Sequence, residues 1–233
     1  MSQDHGNIVM SKAVQDIKDY PLYVAGKAAT TAQWLEVNQK YTQDVYVRVA
    51  LADAATIEKA IDSAVKSSAA MAALEPFQKQ KILLHCVKRF NEMRAELTEI
   101  LIAEGGKPRK AAAAEVERLI NTFQIAADAV TQMDDGRMIP LAVTAAASGY
   151  QGMVKHVPIG PVSLISPFNF PINLTAHKIA PAIAAGCPFV LKPASLTPIS
   201  ALKIAEVLAE TDLPKGAFSV LPCPREHADV LVT

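Results

Sequence analysis

Between residues 53 and 133 the apolar positions step by three and four. After residue 160 they fall into short runs separated by helix-length stretches. The first pattern predicts amphipathic helices and the second predicts alternating strands and helices. Residues 1–19 are polar and mixed, and read as a flexible tail. Pro21–Ala25 is a short strand-like run ended by Gly26, and Val45–Val49 alternates in the same way. Asp53 is placed to cap a helix over Thr56–Ser68. A second helix is predicted from Pro76 to Glu104, with Leu83, Cys86, Val87, Phe90, Met93, Leu97, Ile100 and Leu101 on its apolar face. Gly105, Gly106 and Pro108 stop it. A third is predicted over Lys110–Met133, with Val116, Leu119, Ile120, Phe123, Ala127 and Val130 turned inward. Met138–Ala146 and Tyr150–Val157 flank Ala147-Ser148-Gly149 and predict a β-hairpin that must pack on something else to be stable.

From Gly160 onward the pattern predicts a strand at Pro161–Ser166, a helix at Asn173–Ala185 closed by Gly186, and a strand at Phe189–Leu191. Thr197 would then cap a helix starting at Pro198 and running to Thr211, followed by a strand at Phe218–Leu221 and a helical start at Arg225–Val232. This order implies an α/β fold: a parallel sheet with right-handed crossovers, flanked by helices. Ligands of such sheets bind beyond the carboxyl ends of the strands. Those ends are Ser166–Asn169, Lys192–Ser195 and Pro222–Arg225.

The chain has 233 residues, 51% of them hydrophobic, which is enough for a sizeable core. With 23 basic and 23 acidic residues there is no electrostatic footprint for nucleic acid. The sequence contains neither an apolar run of membrane-spanning length nor, at MSQDHGNIVM, the pattern of a signal peptide. Cys86, Cys187 and Cys223 are widely spaced, odd in number and without zinc-site spacing, which points to free thiols in a reducing cytoplasm and to no metal. Cys86 and Cys187 read as small core residues.

The candidate chemistry lies at the strand ends. The usual Gly-x-Gly-x-x-Gly phosphate cradle is absent. Lys192 ends a buried strand, where its ammonium can reach ribose hydroxyls or a phosphate, or simply face solvent. Ser195 either meets the same ligand or is a loop hydroxyl. Asn169, stiffened by Pro167 and Pro171, is either a turn residue or an oxyanion donor. His177, on the helix after that loop, reads as a packing histidine.

Three segments resemble the NAD(P)-dependent aldehyde dehydrogenase superfamily: Gly160-Pro-Val-Ser-Leu-Ile-Ser-Pro-Phe-Asn-Phe-Pro171, His177-Lys-Ile-Ala-Pro-Ala-Ile-Ala-Ala-Gly186 and Leu191-Lys-Pro-Ala-Ser-Leu-Thr-Pro198. Glu104-Gly-Gly-Lys-Pro108 and Leu213-Pro-Lys-Gly-Ala-Phe-Ser-Val220 fit in the same order. The resemblance spans about residue 20 to the end and implies a Rossmann-like sheet that binds its dinucleotide without the glycine fingerprint. It implies that Asn169 stabilises a thiohemiacetal oxyanion. Ile165, Ser166, Pro167 and Phe168 would line the nicotinamide side, Lys192, Ala194 and Ser195 would meet the adenosine ribose, and Arg225 would lie near the adenosine. Many NAD-preferring members have Glu where Ser195 stands, and a carboxylate there repels a 2'-phosphate. Loss of that carboxylate and gain of Arg225 both favour NADP, although a solvent-facing Arg225 would remove half of that argument.

The resemblance further implies domains: residues 20–137 and 158–233 as the N-terminal part of a dinucleotide-binding domain, and residues 138–157 as a hairpin bridging the subunits of a homodimer or homotetramer. The family is roughly twice this length. Its nucleophilic Cys and general-base Glu match no position here. Two readings follow: part of an enzyme oxidising a small aldehyde to an acid, or a non-catalytic dinucleotide-binding module. In either case the isolated chain is expected to behave poorly in solution, because strand edges would be left unpaired.

Overall fold

The computed structural model describes residues 17–133 and 136–232. Most of the predicted tail therefore lies outside the described residues, but its end does not. Lys18–Tyr20 (β1) pairs in parallel with Val45–Ala50 (β5), and Asp19 faces Arg48 in register, accepting two hydrogen bonds of 2.8 Å from its guanidinium. Apolar alternation does not reveal this strand, because backbone pairing and an ion pair hold it. Trp34–Asn38 (β4) closes the other side of β5 antiparallel, completing a three-stranded sheet in the order β1-β5-β4.

The main sheet contains Leu22–Val24 (β2), Lys27–Ala29 (β3), Val162–Ile165 (β8), Phe189–Lys192 (β9) and Phe218–Val220 (β10), in the order β3-β2-β10-β9-β8. β8, β9 and β10 run parallel, as the strand–helix alternation predicts, whereas β2 adds antiparallel to β10. Alternate side chains divide between the two faces. Phe189, Leu191, Phe218 and Val220 join the larger core, while Leu22, Val190 and Leu221 join the smaller one.

Ala54–Ala72 (α1) covers the smaller face. Asp53 caps it, accepting from the Thr56 amide at 2.8 Å, as its position predicts. Gly216, in the loop leading to β10, lies against this helix at φ +89°. A Cβ there would come within 2.5 Å of Ser63 Oγ, so both backbone conformation and space require glycine. Pro171–Ala185 (α5) and Ile199–Ala209 (α6) cover the other face.

Behind α5 and α6 lie Pro76–Glu92 (α2), Arg94–Gly105 (α3) and Arg109–Ala129 (α4). The single helix predicted from Pro76 to Glu104 is thus two. Met93, at φ −94° and ψ 9°, bends the chain while Phe90, Met93 and Leu97 all stay buried. The three- and four-residue stepping continues across the bend, so periodicity alone does not mark it. The predicted inward face of α4 is buried throughout, and Phe123 meets Phe90 edge to face at 5.0 Å.

Arg137–Pro140 (β6) and Gln151–Val154 (β7) form the antiparallel hairpin. Pairing is shorter than expected. Residues 141–150 form a loop containing a 3₁₀ turn at Ala145–Ala147 instead of continuing the ladder to Ala146. β6 and β7 join neither of the other two sheets. The final segment, Arg225–Leu231, is a 3₁₀ helix.

Candidate functional site

The carboxyl ends of β8, β9 and β10 meet along one edge. Ile165 pairs in register with Lys192, and the Ser166 amide donates to the Lys192 carbonyl at 3.1 Å. On the other side, the Leu221 amide donates to the Leu191 carbonyl at 2.8 Å. Two residues on, the buried Cys223 thiol is raised by burial and pulled back by the Lys192 ammonium, so that charge lies close to the β10 end. The Pro222 carbonyl accepts from Ala52, tying this end to the start of α1. Two of the three predicted segments are thus hydrogen-bonded neighbours at Lys192, and the third follows β10, which pairs with β9 in register at Val220 and Leu191.

Individual residues differ in how they meet this edge. Ser166 is buried, whereas Ile165 and Phe168 are 46% and 58% exposed and form an apolar rim. Asn169 and Ser195 are exposed, and Lys192 and Ala194 are half-buried. Pro167 is exposed beside Phe168, and Arg225 is exposed at the start of the 3₁₀ helix. His177 is exposed on α5, so it is not the packing histidine that the apolar neighbourhood predicts. The residues after it, Ile179 and Ala180, turn into the core instead. All three cysteines are free and buried, including Cys86 and Cys187 as expected.

The helices that leave this edge are already capped from within the protein. The sequence places Thr197 to cap α6, but its hydroxyl is buried and has no hydrogen-bond partner among the described residues. The cap is instead Glu104, wholly buried at the end of α3. Its carboxylate accepts from the Ile199 amide at 2.8 Å and the Ser200 amide at 3.0 Å. Burial pushes the Glu104 carboxyl up to about 7, against the pull of those hydrogen bonds and the Lys40 charge. Glu115 of α4, 1% exposed, accepts from Ile172 at 3.1 Å and Asn173 at 3.3 Å at the start of α5. It is paired with Lys107, whose ammonium lies 4.1 Å from the centroid of the Phe170 ring. The sequence marks Glu104 and Lys107 only as parts of one block. Nothing local marks the caps, which join residues 95 and 57 positions apart.

Asp53 likewise caps α1, whose start is tied to the β10 end through Ala52 and Pro222, so carboxylates occupy the starts of α1, α5 and α6. A helix N-terminus ordinarily offers free amides to a phosphate. Here the starts of α5 and α6 give two amides each to a buried carboxylate, which fits the absence of a glycine cradle after β8.

Residues 4–233 match the model of the aldehyde dehydrogenase family, and the chain belongs to that family. It is 38% identical over 209 residues to the 3-sulfolactaldehyde dehydrogenase of Priestia aryabhattai, covering 90% of this chain and 43% of that protein. It is 35% identical to the lactaldehyde dehydrogenase of Methanocaldococcus jannaschii over 191 residues, which cover 80% of this chain and 40% of that protein. Aldehyde dehydrogenase 21 from Physcomitrella patens, solved in complex with the reaction product succinate, superposes with a TM-score of 0.91 at 47% identity. That match covers 93% of this chain and 45% of that one. A 3,6-anhydro-L-galactose dehydrogenase in complex with NAP superposes at 0.84 and 28% identity, covering 92% of this chain and 45% of that one. The chain therefore spans less than half the length of these relatives.

Proposed function

We propose that this chain forms the cofactor-binding part of an NAD(P)-dependent enzyme that oxidises a small aldehyde to a carboxylic acid. The observation that carries the reading is the meeting of the Ile165–Asn169, Lys192–Ser195 and Pro222–Arg225 segments at one sheet edge. The donor set suits a dinucleotide. The Lys192 ammonium and Ser195 hydroxyl face ribose, while Ile165, Pro167 and Phe168 provide an apolar wall for a nicotinamide ring, with Ser166 and Ala194 completing the loop backbones. When bound, the dinucleotide supplies the hydride acceptor. Asn169 holds its amide toward the aldehyde oxygen and donates to it as negative charge develops there, a role that needs a fixed loop. Spectrophotometric reduction of NAD and NADP by short and long aldehydes, using the complete reading frame that contains this chain, tests the reading. No reduction with any aldehyde overturns it.

NADP is the cofactor we favour. Ser195 removes the carboxylate that would repel a 2'-phosphate, and the exposed Arg225 adds a guanidinium suited to it. Tighter binding of NAD than of NADP would overturn that preference.

A second reading concerns the 233 residues alone. Cys86, Cys187 and Cys223 are all buried, so no described thiol is free to attack an aldehyde. The chain by itself is then a binding module without turnover, and acid production by the purified chain would contradict this. The hairpin of β6 and β7, with Met138 57% and Met153 69% exposed, suits a bridging contact in a homodimer or homotetramer. The free thiols fit the reducing cytoplasm expected from the sequence. None of the described helices is long and apolar enough to cross a membrane.

A further inference from the structure

The two loops that carry the proposed cofactor contacts are each continued by a helix, and each helix is held at its first turn by a buried carboxylate from the layer behind. Ser166–Phe170 leads into α5, whose Ile172 and Asn173 amides are bound by Glu115. Pro193–Pro198 leads into α6, whose Ile199 and Ser200 amides are bound by Glu104. Both carboxylates reach the site from one short stretch of chain. Glu104 opens the block Glu104-Gly-Gly-Lys-Pro108, and Lys107 of the same block neutralises Glu115 while resting over the Phe170 ring. Four amides in two separate helices are thus fixed by two side chains that solvent does not reach.

We propose that Glu104 and Glu115 are positioning residues for cofactor binding. Glu104 sets the Lys192–Ser195 loop through the start of α6, and Glu115, steadied by Lys107, sets the Ser166–Asn169 loop through the start of α5. This inference rests on the cofactor site proposed above. The physical reason is geometric. A loop a few residues long, held by a strand at one end and a fixed helix turn at the other, has few conformations left. Releasing the helix end restores that freedom, and misplacement by about 1 Å is enough to weaken a contact that depends on alignment. The same carboxylates deny the starts of both helices to phosphate, so they also restrict where the ligand's charge can lie.

The lysine at position 203 provides the control. Lys203 also joins α3 to α6, through Glu96 at 2.8 Å, and is itself nearly buried, but it lies a turn further along α6. Losing it loosens the same pair of helices without releasing the Ile199 and Ser200 amides.

The experiment uses the complete protein, with reduced-cofactor fluorescence for the dissociation constant, thermal melting for stability and amide hydrogen exchange for the loops. Glu104→Ala is expected to speed exchange at 192–200 and not at 166–173, and to raise the NADPH dissociation constant about tenfold. Glu115→Ala is expected to speed exchange at 166–173 instead, with a similar rise. Glu104→Gln keeps one acceptor and the side-chain volume. It is expected to raise the constant about threefold, and it carries the test should the alanine variant not fold. Lys203→Met is expected to lower the melting temperature with its dissociation constant within twofold of the parent. If the parent binds NADPH and both alanine variants bind within twofold of it, the positioning role is overturned. It is likewise overturned if Lys203→Met weakens binding as much as Glu104→Ala at equal loss of stability. If the parent itself fails to bind NADPH or NADH, the cofactor site is overturned and this inference falls with it.

Discussion

The carboxyl edge of the main sheet and the β6–β7 hairpin both expose large apolar side chains, but they are built differently. At the sheet edge, Ile165 ends β8, and Phe168, Phe170 and Leu196 stand on loops anchored by a strand on one side and a carboxylate-capped helix on the other. On the hairpin, Met138 and Met153 stand on two four-residue strands that, among the described residues, pair only with each other, and Tyr150 stands at the end of the loop between them. A two-stranded ribbon is marginal in water on its own. The first surface is preorganised and suits a small ligand whose affinity depends on alignment. A ribbon of the second kind gains order when another surface covers it, as in the subunit contact proposed above.

The largest expected contrast comes from removing packing first in the helical layer that backs the sheet edge and then on the hairpin. Phe123→Ala deletes a fully buried ring and its edge contact with Phe90, and should cost about 3–5 kcal/mol. Met153→Ala on the hairpin should stay within about 0.5 kcal/mol. Urea midpoints of the two variants, read against the parent, measure both. Comparable losses would mean that the hairpin is part of the same cooperative unit.

The second effect tests the anchoring. The folded chain holds the Glu104 proton up to about 7, whereas the ordinary carboxyl value is 4.5. The folded state therefore binds more protons than the unfolded chain between these limits. Stability on this account falls as pH rises from about 4.5 to about 7 and levels off above, by about 3 kcal/mol in all. Lys40 pulls the carboxyl down, and the phenol of Tyr46 is raised first by burial, then by Tyr20 and by the Glu104 charge. Chemical denaturation across that pH range should show the fall in the parent and lose it in Glu104→Gln. An unchanged slope in the variant would place the titration on another group.

Smaller effects sharpen the two surfaces separately. Arg225→Ala should raise the NADP dissociation constant about tenfold, equivalent to about 1.4 kcal/mol, and leave NAD within twofold. Ser195→Glu should act in the same direction. Equal effects on both cofactors would mean that Arg225 does not face the 2'-phosphate. Met138→Lys together with Met153→Lys should shift the complete protein toward smaller assemblies in analytical ultracentrifugation while moving its melting temperature by no more than a few degrees. An unaltered mass would place the subunit contact elsewhere.

Much of this architecture is legible along the chain because its signals are local. The Asp53 cap, the buried stripe of α4, the glycine that closes α5 and the three parallel strands all follow from spacings of a few residues. β4 escapes the hydrophobic pattern, although Leu35 and Val37 alternate with Glu36 and Asn38, because five residues bounded by polar turns give a weak signal. α2 and α3 look like one helix, because the bend at Met93 carries neither glycine nor proline. Thr197 looks like the α6 cap because a hydroxyl before a proline is the local candidate. The carboxylate that takes that cap lies 95 residues away, where no local rule reaches.

Period and turn chemistry are properties of neighbouring residues, so the parallel strands, the residues at their carboxyl ends and the lack of a glycine cradle can all be read along the chain. It takes the folded chain to show that Lys192 is flanked by Ser166 on one side and the β10 end on the other, and that Glu104 and Glu115 hold the starts of α6 and α5. Those contacts join segments far apart in the chain. They exist only once the buried faces of the helices and the sheet have been brought together.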